Sequence, residues 1–250
     1  LVEPVSNPTL RLADLDGIAA ACRAHGAALV IDNTFTTPAG LRAFDAGAEV
    51  VLHSVTKLLA GHSDATLGWV AARDGALAER IATVVATWGM TPAPFDCWLA
   101  ERGLHSFALR HARASATAAE LADALAQMPG VARVLYPGRA DHPDAARARA
   151  ALGGRFGTMV SFELDGGRDA AEALVAAMPG LPFAPTLGDV GTTLSHPATS
   201  SHRALTKKER AEMGVSDGFF RVSVGLEPAE ALIDEFRAGA AAAARISRAG

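Results

Sequence analysis

Two short apolar runs end in functional groups that could act together. Ala28-Leu29-Val30-Ile31-Asp32 ends in a carboxylate, and Glu49-Val50-Val51-Leu52-His53 leads into Ser54-Val55-Thr56-Lys57. In open α/β sheets, ligands bind beyond the carboxyl ends of the strands. A carboxylate and an amine on such ends suit an aldehyde cofactor with a basic ring nitrogen. Lysine condenses with the aldehyde, and the acid keeps the nitrogen protonated so that the ring withdraws electrons. Pyridoxal 5'-phosphate has these two needs, and the hydroxyls of Ser54 and Thr56 could meet its phosphate. The plainer readings are a turn-forming Asp32 and a solvated Lys57.

Composition sharpens the reading of Lys57. The chain holds 55 alanines and only three lysines, Lys57, Lys207 and Lys208, against twenty arginines. Only lysine can lose its proton and attack a carbonyl. Lys207 and Lys208 lie in the polar run Thr206–Arg210, where a solvated helix face explains them, whereas Lys57 follows an apolar strand.

The local sequence around these groups has a family character. Ile31-Asp32-Asn33-Thr34-Phe35-Thr36-Thr37-Pro38, followed by His53–Lys57 and Leu58-Leu59-Ala60-Gly61-His62-Ser63-Asp64, resembles the Cys/Met-metabolism family of pyridoxal-phosphate enzymes. That family holds cystathionine γ-synthase, cystathionine β- and γ-lyases, methionine γ-lyase and homoserine-ester sulfhydrylases. Glu3-Pro4-Val5-Ser6-Asn7-Pro8, Thr186-Leu187-Gly188-Asp189 with His196-Pro197-Ala198, and Phe220-Arg221-Val222-Ser223-Val224-Gly225-Leu226-Glu227 resemble three further family segments.

The resemblance implies Lys57 as the Schiff-base lysine and proton shuttle, with Asp32 on the pyridinium nitrogen. It implies Ser54 and Thr56 on the phosphate and Asn7 on the cofactor's phenolic oxygen. Arg221 would hold the substrate carboxylate, and Thr186, in the family's serine position, would help seat that carboxylate and the lysine. The implied fold is α/β, fold type I, and the implied assembly is a homotetramer built as a dimer of dimers. The implied activity is elimination or replacement on sulfur-containing amino acids or homoserine derivatives. Pro185, where cystathionine-handling γ-enzymes often carry a glutamate, leans toward methionine γ-lyase or sulfhydrylase-type chemistry. Cystathionine lyase, an aminotransferase of the same fold and an inactive truncated homologue are the alternatives.

The positioning elements follow from periodicity. Leu12, Leu15, Ile18, Ala19 and Cys22 recur at helical spacing, and a short helical stretch is expected near Leu41–Ala46. Apolar strands at residues 28–32, 49–53 and 66–71, alternating with helices, predict a parallel-rich sheet. Residues 77–128 read as helix, broken at Gly89–Pro94 and at Gly103. Beyond Pro129-Gly130, strands of alternating character at 131–136, 158–164 and 219–224, with helices at 168–178 and 228–248, predict a small α+β domain. The expected division is 1–120, the cofactor-binding part, and 121–250.

Other candidates take plainer roles. His62 and Asp64 lack a third metal ligand at a suitable spacing, His53 and His196 read as satisfied polar groups, and Trp69, Trp88 and Trp98 read as core. Gly153–Gly157 reads as a turn. Net charge is −4 without a basic cluster, which argues against nucleic acid, and no run of ~18 apolar residues exists to span a membrane. Two distant cysteines, Cys22 and Cys97, suit a reducing, cytoplasmic setting. The chain starts at Leu1 in strand-like sequence, without an initiator Met or a signal-peptide pattern, and is expected to be part of a longer polypeptide. By the resemblance, an N-terminal part would add a glycine-containing phosphate loop, a ring-stacking aromatic and a Tyr/Arg pair serving the neighbouring subunit. Activity is expected of that longer protein.

Overall fold

The computed structural model describes residues Leu1–Ser247. Helix α1, Leu15–Ala24, starts where the Asp14 side chain accepts a hydrogen bond from Gly17 N, which satisfies one otherwise unpaired donor of the first turn. Its apolar face buries Leu15 and Ala19 against Leu29 and Ile31. Strand β1, Val30–Asp32, runs parallel to β2, Val50–Ser54, with Ile31 opposite Val51. Between them lies one short helix, α2, Thr37–Gly40. The helical stretch expected at Leu41–Ala46 is instead extended chain and turns, because the turn begins four residues earlier at Thr36-Thr37-Pro38 and ends at Gly40.

Strand β3, Gly68–Ala72, pairs antiparallel with β2. The link from Ser54 to Gly68 holds turns and no covering helix, so the chain returns in the opposite direction; a parallel return needs a crossover. The three-stranded sheet is therefore mixed, not wholly parallel. Helix α3, Gly75–Thr87, follows, and then α4, Pro94–Leu125, one unbroken helix. Gly103 does not break it. A Cβ there would overlap the carbonyl oxygen of Ala60, so glycine serves close approach of the helix to the Lys57 loop.

A second sheet has the order β4 (Val131–Leu135), β5 (Met159–Leu164), β7 (Phe219–Ser223), β6 (Thr193–Ser195), all antiparallel. The short strand β6 was not anticipated; three residues carry too little pattern to read. Every residue of β7 is buried, so its alternation is chemical and not a matter of exposure. Phe220 and Val222 face a core formed with Val160 and Phe162 of β5, the end of α4, α6 (Gly167–Ala176) and α8 (Ala229–Ser247). Phe162 stacks on Phe220 at 5.4 Å between centroids and meets Phe236 edge-on at 5.9 Å. Arg221 and Ser223 share the opposite face, as the two-residue period of a strand requires.

A separate core joins the N-terminal segment, α1 and β1 to Ala148 and Leu152 of α5 (Ala145–Leu152), Met159 and Leu187. Near it, Asp144 accepts from Arg11 Nε at 2.6 Å and from Leu12 N at 3.0 Å, and Arg147 adds a second cation at 3.3 Å. The Arg11 guanidinium holds the Asp144 carboxyl down at about 2. Helix α7, Lys207–Glu212, opens with a reciprocal cap between Thr206 and Glu209. Of the expected C-terminal helix, Arg248 lies outside the described residues.

Three tryptophans correct the expectation of core. Trp69 is 47%, Trp98 53% and Trp88 78% exposed, beside exposed Val70, Val84, Met90 and Phe95. Helix α3 has no buried residue. Apolar context in the sequence marks side chains suited to burial, and none of the described residues covers these.

Candidate active site

The carboxyl ends of β1 and β2 lie side by side because the strands are parallel neighbours. Thr34 joins them. Its backbone N and its hydroxyl donate to Asp32 Oδ1 at 3.0 and 2.6 Å, and its hydroxyl oxygen accepts from Ser54 N at 2.9 Å. This turn, in which an aspartate receives the chain two residues on, fixes one carboxylate oxygen. Asp32 Oδ2 makes no hydrogen bond among the described residues. Sequence reasoning assigned no role to Thr34, although an Asp-x-Thr at a strand end was the available signal.

Lys57 lies in a single helical turn after β2, defined by Lys57 N to Ser54 O at 3.2 Å, Ala60 N to Val55 O at 2.9 Å and Gly61 N to Lys57 O at 2.8 Å. Its Nζ donates to the hydroxyl of Thr186 at 3.3 Å. The loop carrying Thr186 presses against this turn. Gly188 has φ +83°, and a Cβ there would stand 2.5 Å from Leu58 N and 3.1 Å from Lys57 Cα. Only glycine fits both the backbone conformation and the contact. Gly188 N donates to Ser223 Oγ at 2.8 Å, which ties the loop to β7.

Arg221 reaches the same loop. It sits mid-strand with Ser161 and Ser195 as its cross-strand partners, small neighbours that leave room for a long side chain. Its Nη2 donates to the carbonyl of Thr186 at 2.7 Å and its Nη1 to Asn7 Oδ1 at 2.8 Å. The Asn7 segment is held nearby, since Ser161 Oγ donates to the Pro8 carbonyl at 2.7 Å. Arg221 is buried, has no carboxylate partner among the described residues, and its Nε is unpaired. Burial pushes the guanidinium down to about 10, so it remains charged at neutral pH.

A cleft of about 160 Å³ is lined by Glu3, Asn7, Asp32, Thr34, Phe35, Ser54, Lys57 and Leu187. This is below the roughly 300–1,000 Å³ of drug-sized pockets and on the scale of one substituted ring. The Glu3 carboxylate accepts from Asn7 N at 3.2 Å; burial, helped by nearby Asp32, raises its pKa. The donor set fits the ring end of pyridoxal phosphate: an amine, a carboxylate with a spare oxygen, an aromatic ring and an amide side chain. The Ser54 hydroxyl belongs to the same lining. Thr56 stands apart from the cleft lining, its hydroxyl donating to Leu67 O at 3.2 Å and accepting from Leu67 N at 2.9 Å.

The plainer candidates divide. His196 is satisfied, with Nε2 donating to Asp217 O at 2.8 Å and Nδ1 3.0 Å from the Thr199 hydroxyl. His53 is not: it packs against Trp69 at 5.5 Å, its Nδ1 is buried without a partner, and burial lowers its pKa. His62 Nδ1 donates to the carbonyl of Ala60 at 2.7 Å, and no metal-binding cluster occurs among the described residues. Gly153 ends α5 in the left-handed conformation, as a turn. Tyr136, the sole tyrosine, is buried and donates to Gly157 O at 3.1 Å. Among the described residues, no helix is long and apolar enough to cross a membrane.

Known proteins share both sequence and architecture with this chain. The chain is 41% identical over 235 residues to the cystathionine β-lyase MetC of Bacillus subtilis, a match covering 94% of this chain and 60% of that protein. It is 40% identical over 241 residues to the O-succinylhomoserine sulfhydrylase of Pseudomonas aeruginosa, covering 96% and 59% respectively. The crystal structure of cystathionine γ-synthase from Xanthomonas oryzae pv. oryzae superimposes with a TM-score of 0.93 at 40% identity, over 98% of this chain and 63% of that one. The chain thus spans about three fifths of the length of these relatives. The family model described as Cys/Met metabolism PLP-dependent enzyme matches residues 1–241. Motif, fold and cleft agree with that match: the chain belongs to the Cys/Met metabolism family of pyridoxal-phosphate-dependent enzymes.

Proposed function

We propose that the protein containing this chain catalyses elimination or replacement on sulfur-containing amino acids or homoserine derivatives. One observation carries the reading: a buried arginine with no acidic partner among the described residues shares Thr186 with the lysine of the cleft. Burying an unpaired charge is costly, and an anionic ligand at Arg221 offsets that cost. An amino-acid carboxylate gripped there stands its α-carbon close to Lys57. The planar fork of arginine binds a carboxylate with two parallel hydrogen bonds and so fixes its orientation.

Pyridoxal phosphate, when bound, supplies an electron sink for charge developing at the substrate's α-carbon. The remaining roles fall to side chains. Lys57 would hold the cofactor through Nζ and would carry a proton from the substrate's α-carbon. Asp32, steadied by Thr34, would keep the ring nitrogen protonated through its free oxygen. Asn7 would meet the phenolic oxygen, and Ser54 and Thr56 would serve the phosphate; for Thr56 this requires release of the bond it donates to Leu67 O. Thr186 seats the lysine amine with its hydroxyl and the guanidinium with its carbonyl.

Exposed Pro185 precedes Thr186 and offers no charge to a second amino group on the substrate. This favours methionine γ-lyase or homoserine-ester chemistry over cystathionine cleavage. The exposed apolar surface of Trp69, Val70, Trp88, Phe95 and Trp98 suits a protein partner, and a homotetramer built from dimers is the assembly we propose. Free thiols at Cys22 and Cys97 fit a cytoplasmic setting.

The test is product analysis of the full-length protein with methionine, cystathionine, homocysteine and O-acylhomoserines. A 2-oxo acid with ammonia and a thiol from methionine, or replacement of the acyl group by a thiol, is expected. Conversion of the cofactor to its pyridoxamine form, with no elimination or replacement product, would assign an aminotransferase instead.

A further inference from the structure

We infer that Arg110 is a positioning residue that holds the Lys57 turn in register, acting through the backbone and not on the substrate. The inference rests on the reading of Lys57 given above. The turn from Ser54 to Gly61 stops after one helical turn, so the carbonyls of Leu58, Leu59 and Ala60 have no helix continuing beyond them. Arg110, projecting from α4, supplies donors to all three, and His62 Nδ1 shares the Ala60 carbonyl at 2.7 Å. Arg110 Nη1 donates to Leu58 O at 3.1 Å, and its Nη2 to Leu59 O at 2.9 Å and Ala60 O at 3.4 Å.

The guanidinium is itself fixed. Nη2 also donates to Gly103 O at 2.9 Å, and Nε donates to Ser106 Oγ at 3.0 Å. It forms no ion pair with a carboxylate among the described residues, and burial lowers its pKa, opposed by the charge of Asp189. Its hydrogen-bond partners are therefore carbonyl dipoles and one hydroxyl, and carbonyls suit a cation at the C-terminal end of a turn.

Two contacts press the turn from other directions. Helix α4 touches Ala60 where Gly103 lacks a side chain, and the Thr186 loop touches Lys57 Cα at Gly188 and donates from Val190 N to Gly61 O at 2.8 Å. Arg110 closes this enclosure with a rigid fork that reaches three successive carbonyls. A lysine cannot reproduce it, because its ammonium is one point on a flexible stem. A displaced turn would carry Lys57 Nζ away from the cleft, and misplacement by about 1 Å can slow a reaction by roughly a hundredfold.

The experiment uses the full-length protein stripped of cofactor. Pyridoxal 5'-phosphate is added, cyanoborohydride quenches samples at timed intervals, and label on the Lys57 peptide is measured by mass spectrometry. Exposed Lys207 and Lys208 serve as internal controls. Arg110→Ala should slow Lys57 labelling by roughly tenfold or more without changing labelling of the controls. Guanidinium ion at low millimolar concentration should restore much of the rate, whereas sodium chloride at equal ionic strength should not. Arg110→Lys should remain slow. Should Arg110→Ala fail to fold, judged by circular dichroism, Arg110→Gln takes its place with slowed labelling again expected. Labelling of a folded variant at the parent rate, or slowing that guanidinium and salt relieve equally, would overturn the positioning role. Absence of Lys57 label in the parent protein would overturn the assignment of Lys57 itself, a distinguishable outcome.

Discussion

Lys57 and Arg221 meet on one residue from opposite sides: the lysine Nζ lies 3.3 Å from the Thr186 hydroxyl, and the arginine Nη2 lies 2.7 Å from the Thr186 carbonyl. The two groups come from different sheets and are 164 positions apart in sequence. Movement of the Thr186 loop therefore changes both ends of the site together.

Replacing Thr186 by Val keeps the shape and the carbonyl but removes the partner of Lys57 Nζ. Loss of one hydrogen bond of about 1 kcal/mol should reduce kcat/KM by roughly fivefold. Thr186→Ser should stay near the parent value. Steady-state kinetics on both variants decides this, and equal losses would show that the hydroxyl is not what matters.

Asp32→Asn keeps a hydrogen-bonding group but removes the negative charge proposed to hold the ring nitrogen protonated. We expect turnover to fall at least tenfold, about 1.4 kcal/mol. Thr34→Val should weaken the same function partially by freeing the carboxylate. Single-turnover rates of α-proton exchange check both; unchanged rates in Asp32→Asn would reduce Asp32 to a turn residue.

Arg221→Lys retains a positive charge without the two-pronged geometry. Because carboxylate binding is made in ground and transition states alike, its loss should appear mainly as a raised KM, with cofactor absorbance unchanged. A collapsed cofactor spectrum with normal KM would place Arg221 in cofactor retention.

Much of this site was legible in order along the chain but not in space. The carboxylate and the lysine announced themselves because one ends a short apolar strand and the other follows one closely, where chemistry collects in parallel sheets. That Arg221 and Asn7 touch could not be read, since the contact depends on how β7 lies against the N-terminal segment. Gly103 was misread because a glycine inside a helix pattern looks like a break when its contact with Ala60 is unseen. Arg110 carried no signal among twenty arginines. The tryptophans show the opposite limit: their apolar context was plain, but sequence cannot say which surface covers them.

Asp144 gives a pH prediction for stability. Its pKa falls from the ordinary 3.8 to about 2 in the folded protein, chiefly through the Arg11 hydrogen bond. A depressed carboxylate stabilises the fold above pH ~4, and that contribution is lost as pH falls from there through ~2. Arg11 is half exposed, so solvent screening reduces the worth of the contact to about 1–2 kcal/mol. Urea denaturation of Asp144→Asn should show that loss at pH 7 and a smaller difference from the parent near pH 3. An equal difference at both pH values would remove Asp144 from the acid response.

The most direct measurement is borohydride reduction of the cofactor-loaded full-length protein, followed by mass spectrometry of its peptides. The phosphopyridoxyl mass should be found on the peptide containing Lys57 at one per chain. Label on Lys207 or Lys208 alone, or no covalent label, would contradict the assignment of Lys57 and the account of the site built around it.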